Sequence, residues 1–137
     1  MKLVVDANII IAAFIRDAAV RKLLLRPDNC FCCPEFIIEE IKGHFEEMLE
    51  KSRLSREDAK KVLELVFDRI EIIPAQKVAK HLGKAELLMG GIDKDDVPYV
   101  ALALAIQNDG IWSDDPHFQK LKGNVRVWRT AELINLL

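Results

Sequence analysis

The sequence predicts a single α/β domain, a three-layer α/β/α sandwich in which helices cover both faces of a central, mostly parallel, five-stranded sheet. Short apolar runs alternate with longer helical patterns along all 137 residues, and this alternation is typical of parallel strands joined by helical crossovers. No Ser/Gly-rich linker, repeat or change in composition divides the chain, so residues 1–137 are expected to fold together. Half of the residues are apolar, which is enough for one buried core.

Five short segments rich in apolar and β-branched residues are the candidate strands, and each is bounded by polar or turn residues. They are Lys2–Val5, Cys30–Cys33, Ile70–Ile73, Gly110–Trp112 and Val125–Trp128. The cysteines Cys30, Cys32 and Cys33 lie too close together for a disulfide framework or a two-knuckle zinc site. We interpret them as small apolar side chains of the second strand.

Helices are predicted between these strands. Proline is favoured in a first turn, so Pro34 is expected to open a helix that runs to about Lys51. Ser55 followed by Asp58 resembles a capping box with Asp in place of Glu or Gln, and it predicts the start of the next helix. The segment Val100–Ile106 is apolar all round, which predicts a helix buried between other elements.

The charges of the chain nearly cancel, with 20 Lys and Arg against 22 Asp and Glu, a net charge of -2 and an isoelectric point near 5.9. This balance argues against a protein that coats nucleic acid by bulk positive charge, so any binding to a polyanion has to be local. Apolar runs such as Ile9–Ile15 are far shorter than a membrane span, and the first residues lack the features of a signal peptide. We therefore expect a soluble, cytoplasmic protein with no membrane partner.

Acidic residues follow two of the predicted strands. Asp6 comes directly after the first strand, and Asp114 and Asp115 come after the fourth. In open parallel sheets, ligands bind at the carboxyl ends of the strands. A single Asp at such a position is often only a helix cap, but two acidic strand ends together favour a functional site.

A third acidic position is Glu40, in the helix expected after Pro34. A helical wheel places the apolar residues of this helix on one face. These residues are Ile37, Ile38, Ile41, Phe45 and Met48. Glu40 lies at the flank of that face and Glu39 nearly opposite it. The wheel therefore predicts that Glu40 lies at the edge of the core, although an ordinary surface position is the alternative.

The fourth position is Asp96, in the first turn of the buried helix, where Pro98 fixes the helix start and the helix dipole favours an ionised carboxylate. Asp93, Asp95 and Asp96 also form a typical capping cluster, so one of them could serve only as a cap. Three acidic residues exceed what capping requires.

Four carboxylates at close range would repel one another strongly, and a divalent ion removes that repulsion. Hard oxygen ligands without His or thiolate suit Mg²⁺ or Mn²⁺. Such ions can activate water and stabilise the leaving oxygen of a phosphodiester.

Four segments, taken together and in order, resemble the PIN domain family. They are Val4–Asn8, Pro34–Ile41, Asp96–Ala105 and Ile111–Phe118, and the similarity extends over essentially the whole chain. The resemblance implies a PIN-like, 5′-nuclease-like sheet and a ribonuclease that depends on Mg²⁺ or Mn²⁺. Many small prokaryotic members are VapC-like toxins of toxin–antitoxin pairs.

The resemblance also implies roles for individual residues. Asp6, Glu40, Asp96 and Asp115 correspond to the four acidic metal ligands. The supporting positions are Ser113, which helps to order the site, Asn8 beside the first Asp, Asp93 as an auxiliary acid, and Asp114, which competes with Asp115 for the fourth place. The implied reaction is attack of metal-activated water on single-stranded or structured RNA. An antitoxin protein and a second copy of the chain are the implied protein partners.

Further residues have possible roles in binding RNA or a partner, although an ordinary structural position is favoured for each. Substrate guidance could come from Arg16, Arg21, Lys22 and Lys42, and base stacking from Phe14 or Trp112. We interpret His44, His81 and His117 as ordinary histidines; His117 lies nearest the site and could at most support the ligands from outside. The dimer face or a substrate clip is expected between Glu46 and Met89.

Two other functions compete with the nuclease. An Asp after an N-terminal apolar strand also marks phosphoryl-transfer folds with an aspartyl nucleophile, but those favour a second Asp at the position of Asn8 and a Lys at a late strand end. A catalytically silent module that binds RNA or protein is the other alternative. Four mutually repelling carboxylates argue against it, because a scaffold has no need for them.

Overall fold

The five predicted strands form one sheet in a computed structural model that describes residues 1–15, 17–121 and 123–136. Their bounds are β1 Lys2–Val5, β2 Cys30–Pro34, β3 Ile70–Ile73, β4 Ile111–Trp112 and β5 Val127–Trp128. The strand order is β3-β2-β1-β4-β5, and every neighbouring pair is parallel. This confirms the predicted fold class.

Pro34 differs from its prediction, because it ends β2 instead of opening a helix. It pairs with Ile73 of β3, whereas the ladder with β1 stops at Cys32. A proline at this position lies beyond the β1 ladder, so its missing N–H group removes no hydrogen bond to that strand. The helix that follows begins three residues later, at Ile37.

The helices alternate with the strands as the sequence predicts. They are α1 Ala7–Ile15, α2 Ala18–Leu24, α3 Ile37–Ser52, α4 Arg56–Phe67, α5 Ala75–Val78, α6 Leu82–Ala85, α7 Val97–Ala105, α8 Pro116–Gln119 and α9 Thr130–Leu136. Single 3-10 turns cover Ala79–His81 and Lys94–Asp96, and a π-helical turn covers Glu86–Gly90. Ser55 caps α4 as predicted, because its hydroxyl accepts the N–H of Asp58 at 3.1 Å.

The strand order explains how the helices form two layers. From β1 the chain moves one way to β2 and β3, and it then crosses to the other side of β1 to form β4 and β5. Right-handed crossovers therefore place α1 to α4 on one face and α5 to α8 on the other. In agreement, α1 packs on α2, α3 and α4, whereas α7 packs on α5, α6 and the central strands.

The reversal of strand order between β1 and β4 creates the site. At such a reversal, the connections leave on opposite faces of the sheet and open a crevice at its carboxyl edge. Val5 pairs with Trp112 at the ends of these two strands. Asp6 and Ser113 consequently leave the sheet side by side.

Burial agrees with most of the sequence interpretation. Cys32 and Cys33 are buried in β2, but Cys30 is exposed, because it lies at the first position of the strand. Ile38 is also not in the core, contrary to the helical wheel. It is 39% exposed, because it lies about 100° around the helix from Ile37, at the margin of the face on which Ile37, Ile41 and Met48 are buried. In the described residues no helix is both long and apolar enough to cross a bilayer.

Gly110 provides a test of how β4 is anchored. Its φ is +134°, and a Cβ atom there would lie 2.7 Å from the carbonyl oxygen of Arg126. Gly110→Ala should lower the free energy of unfolding by about 2 kcal/mol in urea titrations, because both the backbone conformation and the close approach exclude a side chain.

Gly43→Ala is the matched control for this substitution. Gly43 lies inside α3, and a Cβ there meets nothing within 4 Å. It should raise stability by about 0.5–1 kcal/mol through helix propensity. Equal effects of the two substitutions would contradict the assigned role of Gly110.

Candidate metal centre

Asp6 lies at the centre of the carboxyl edge and is only 3% exposed. Its backbone N–H donates to the carbonyl of Trp112 at 3.1 Å, which extends the β1–β4 ladder by one residue. The Ser113 hydroxyl donates to Oδ2 of Asp6 at 2.8 Å, and the backbone of Asn8 adds a further hydrogen bond. Burial nevertheless raises the pKa of Asp6 to about 6.

Glu40 approaches from the first turn of α3 and is partly buried, whereas Glu39 is exposed. The geometry therefore places Glu40 and not Glu39 at the edge of the core, as the helical wheel predicts. The Tyr99 hydroxyl donates to Oε1 of Glu40 at 2.5 Å. Burial, with a smaller contribution from the charge of Asp6, raises the pKa of Glu40 to about 7.

Asp96 precedes α7 as its N-cap residue, yet its side chain makes no capping hydrogen bond. Capping falls to Asp93, whose Oδ1 accepts the N–H of Asp95 at 2.9 Å. Asp96 is 7% exposed, and its Oδ2 has no hydrogen-bond partner among the described residues. Burial first, and then the charges of Asp6 and Asp93, raise the pKa of Asp96 to about 8.

Asp114 and Asp115 point to different parts of the protein. Both carboxylate oxygens of Asp114 accept hydrogen bonds from Thr130, at 2.8 Å from the backbone N–H and 2.6 Å from the hydroxyl. Asp115 instead interacts electrostatically with Asp6 and Asp96. The geometry thus favours Asp115 as the fourth acid and gives Asp114 the structural task of anchoring α9.

Two residues of this site were not recognised in the sequence. Tyr99 lies one turn after Asp96 in α7, a spacing that places both on the same side of the helix start. His117 was interpreted as an ordinary histidine. Its Nδ1 lies 3.3 Å from Asp93, 3.7 Å from Asp96 and 3.5 Å from Asp115. The sequence feature that indicates this proximity is the spacing of two residues between His117 and Asp115.

Other predicted residues lie away from the centre. Phe14 and Trp112 are fully buried and belong to the core, so neither is placed to stack on a base. Arg21 donates to the carbonyl groups of Ala13 and Phe14 at the end of α1. Lys22 and Lys42 are exposed helix residues. Arg16 falls outside the described residues.

The side chains present fit a divalent cation. Three potential ligand atoms, one from each of Asp93, Asp96 and His117, lie within 4.8 Å of one another. The carboxylates of Asp6, Glu40, Asp96 and Asp115 interact electrostatically at the same edge. A buried carboxylate oxygen without a partner, as at Asp96, is costly unless a cation or a donor binds it.

Comparisons with known proteins agree with this architecture. The family described as PIN domain matches residues 4–136. No curated protein matches the sequence. Among solved structures, this chain superposes with a TM-score of 0.73 on a chain of VapBC2 from Rickettsia felis. That structure shows VapBC2 bound to a DNA fragment from its own promoter. The alignment is 16% identical and covers 94% of this chain and 98% of that chain, so it shows a common fold. The match over nearly the full sequence shows that this chain belongs to the PIN domain family.

Proposed function

We propose that this chain is a metal-dependent endoribonuclease that hydrolyses phosphodiester bonds of single-stranded RNA. PIN domains are generally nucleases, and the chain belongs to that family. The observation that carries the proposal is the convergence of four acidic residues on one strand edge, with Oδ2 of Asp96 buried and unpartnered. Such a cluster has no structural purpose of its own, because burial and the neighbouring charges raise the pKa values of Asp6, Glu40 and Asp96.

The proposed cofactor is Mg²⁺ or Mn²⁺, held by Asp6, Glu40, Asp96 and Asp115. When bound, such an ion activates water and neutralises charge on the reacting phosphate. The acidic edge would then attract a phosphate that it otherwise repels. This explains how a chain with a net charge of -2 can act on a polyanion without a broad basic surface.

The surrounding residues fix the carboxylates in position. Ser113 connects two of them, because its hydroxyl donates to Asp6 at 2.8 Å and accepts the backbone N–H of Asp115 at 3.0 Å. Tyr99, in α7, orients Glu40 of α3 through its hydrogen bond. Fixed ligands lose little conformational freedom when an ion or a substrate binds, which favours both affinity and rate.

We further propose that this nuclease is the toxin of a toxin–antitoxin pair. The support is the structural similarity to a chain of the VapBC2 assembly. An antitoxin protein would then be the partner that restrains the enzyme. The proposed compartment is the cytoplasm, where the RNA substrates of such an enzyme are made.

A homodimer through the segment 46–89 is the remaining proposal about partners. Two exposed large apolar side chains of this segment lie in the same layer of helices: Leu82, in α6, is 41% exposed, and Leu87, in the turn that follows α6, is 88% exposed. Apolar side chains at the centre of an interface are the usual source of its affinity.

Cleavage of RNA is the first prediction. The purified protein with Mn²⁺ should hydrolyse single-stranded RNA, and Asp6→Asn and Asp96→Asn should each reduce the rate by about 100-fold or more, since each removes a charge from the reacting centre. Gel analysis of end-labelled RNA measures the rates.

Asp115→Asn and Asp114→Asn form a matched pair for that assay. The first should lose activity, and the second should retain nearly all of it, because Asp114 binds Thr130 and not the cluster. If folded, metal-loaded protein cleaves no RNA, the silent binding module becomes the better interpretation.

The raised pKa values predict how stability depends on pH. Asp6, Glu40 and Asp96 bind protons more tightly in the folded than in the unfolded chain. Their contribution to stability is therefore complete below about pH 4 and is lost as the pH rises through about 6 to 8. With a chelator present, Tm should fall between pH 5 and pH 8, and added Mn²⁺ should raise Tm more at pH 8 than at pH 5.

Glu40→Gln and Glu39→Gln test the origin of this pH dependence. Glu40→Gln should flatten the dependence of Tm on pH, whereas Glu39→Gln, a change on the exposed side of α3, should leave it as in the wild type. A metal-free protein that becomes more stable from pH 5 to pH 8 would contradict the assignment.

Sedimentation analysis tests the dimer. The wild-type chain of 15.6 kDa should sediment as a dimer, and the double variant Leu82→Lys, Leu87→Lys should shift it to the monomer, since buried lysines oppose association. Leu25→Lys is the control, because Leu25 is 67% exposed and lies outside the segment. A monomeric wild-type protein would rule the dimer out.

A further inference from the structure

We propose that His117 is a metal ligand, so that the centre binds one divalent ion through a nitrogen as well as through oxygens and discriminates transition ions from Mg²⁺. The three ligand atoms are Nδ1 of His117, a carboxylate oxygen of Asp93 and Oδ2 of Asp96. The inference deepens the proposed nuclease function and rests on it. It adds His117 and Asp93 as metal ligands to the four acidic residues of the proposed nuclease.

The distances around His117 are the first argument. Its Nδ1 lies 3.3 Å from Oδ2 of Asp93 and 3.7 Å from Oδ2 of Asp96. Ligand atoms that share one ion at roughly 2.1 Å, with angles between octahedral and tetrahedral values, lie roughly 3.0–3.4 Å apart. The three atoms therefore need to move little to coordinate a common ion.

The second argument is that two of these atoms are enclosed and lack a hydrogen-bond partner. Oδ2 of Asp96 and Nδ1 of His117 are both inaccessible to solvent and make no hydrogen bond among the described residues. Asp96 itself is 93% buried, being only 7% exposed. Buried polar atoms normally have partners, and an ion between these two atoms would supply one for each.

Hydrogen bonds hold the backbone of His117 beside the acidic residues. Oδ1 of Asp115 accepts the N–H of His117 at 2.9 Å, and Pro116 precedes it at the start of α8. Asp115 in turn donates its own N–H to Ser113, whose hydroxyl binds Asp6. A continuous set of hydrogen bonds thus fixes the position of His117 relative to the carboxylates.

Imidazole changes the selectivity of such a site. Carboxylates alone suit Mg²⁺ and Mn²⁺, whereas an imidazole nitrogen adds affinity for the later ions of the first transition series, such as Co²⁺ and Ni²⁺. The site should therefore bind Co²⁺ more tightly than Mg²⁺, and the difference should depend on His117. Asp96 would serve both this nitrogen-containing site and the four-carboxylate cluster.

Metal binding by calorimetry is the first test, and it requires no RNA. His117→Gln should weaken Co²⁺ binding at least about tenfold and leave Mg²⁺ binding nearly unchanged. His81→Gln, which also removes one imidazole but in the turn Ala79–His81, should change neither. Equal Co²⁺ affinities of the wild type and His117→Gln would overturn the inference.

Pulsed electron paramagnetic resonance of the wild-type protein loaded with Mn²⁺ is the second test. Its central measurement uses the wild-type protein, and it does not require that a His117 variant folds. A coordinated imidazole couples its nitrogen to the electron spin of the ion, so a nitrogen coupling is expected that persists in His44→Gln and His81→Gln. Bound Mn²⁺ without nitrogen coupling would overturn the inference.

The two tests separate this inference from the proposed function. Ions bound through nitrogen, in a protein that hydrolyses no RNA, would overturn the nuclease and support the assignment of His117. RNA hydrolysis with ions bound only through oxygen would support the nuclease and overturn the assignment of His117. A protein that binds neither Co²⁺ nor Mn²⁺ would overturn both.

Discussion

Repulsion between carboxylates is the constraint on which the rest of this structure depends. Asp6 and Asp96 are almost completely buried, and burial, together with the charges of the neighbouring carboxylates, raises the pKa values of both. Without a cation such an arrangement opposes folding. The parallel sheet and its buried helix α7 must therefore supply enough apolar burial to keep these side chains together. The centre is a strained feature that a well-packed core maintains, which is the usual relation between stability and function.

The topology determines which parts of the chain can contribute to the centre. β1 lies in the middle of the sheet and is buried on both faces, so Asp6, the residue that follows it, is enclosed by the fold. β4 joins the other edge of β1 after the long crossover and brings Ser113 and Asp115 next to Asp6. α3 and α7 come from opposite layers, and Tyr99 joins them by its hydrogen bond to Glu40. All three layers of the domain thus meet at one point.

Much of this could be predicted from local sequence patterns, and the failures have identifiable causes. The strands and the acidic residues Asp6 and Glu40 follow from apolar periodicity and from the rule that sites lie at carboxyl strand ends. Pro34 was misassigned, because proline at a strand end and proline at a helix start look alike when the pairing partner is unknown. The sequence alone could not show whether Asp114 or Asp115 belongs to the acidic cluster. Only the packing of α9 shows that Thr130 donates its hydrogen bonds to Asp114. The proximity of His117 to Asp93 and Asp96 could not be predicted for the same reason, because both residues lie more than 20 positions away in the sequence.

The hydrogen bond between Tyr99 and Glu40 has a practical consequence. Tyr99 is the only tyrosine in the chain, and its hydroxyl touches one of the acidic residues of the centre. Burial raises the pKa of this phenol above its usual range, so it stays protonated and remains a donor. Protein grown with isotope-labelled tyrosine would therefore give a single aromatic resonance set that originates beside Glu40. The fold thus contains a spectroscopic reporter of its own centre, and no dye or change of sequence is needed to observe it.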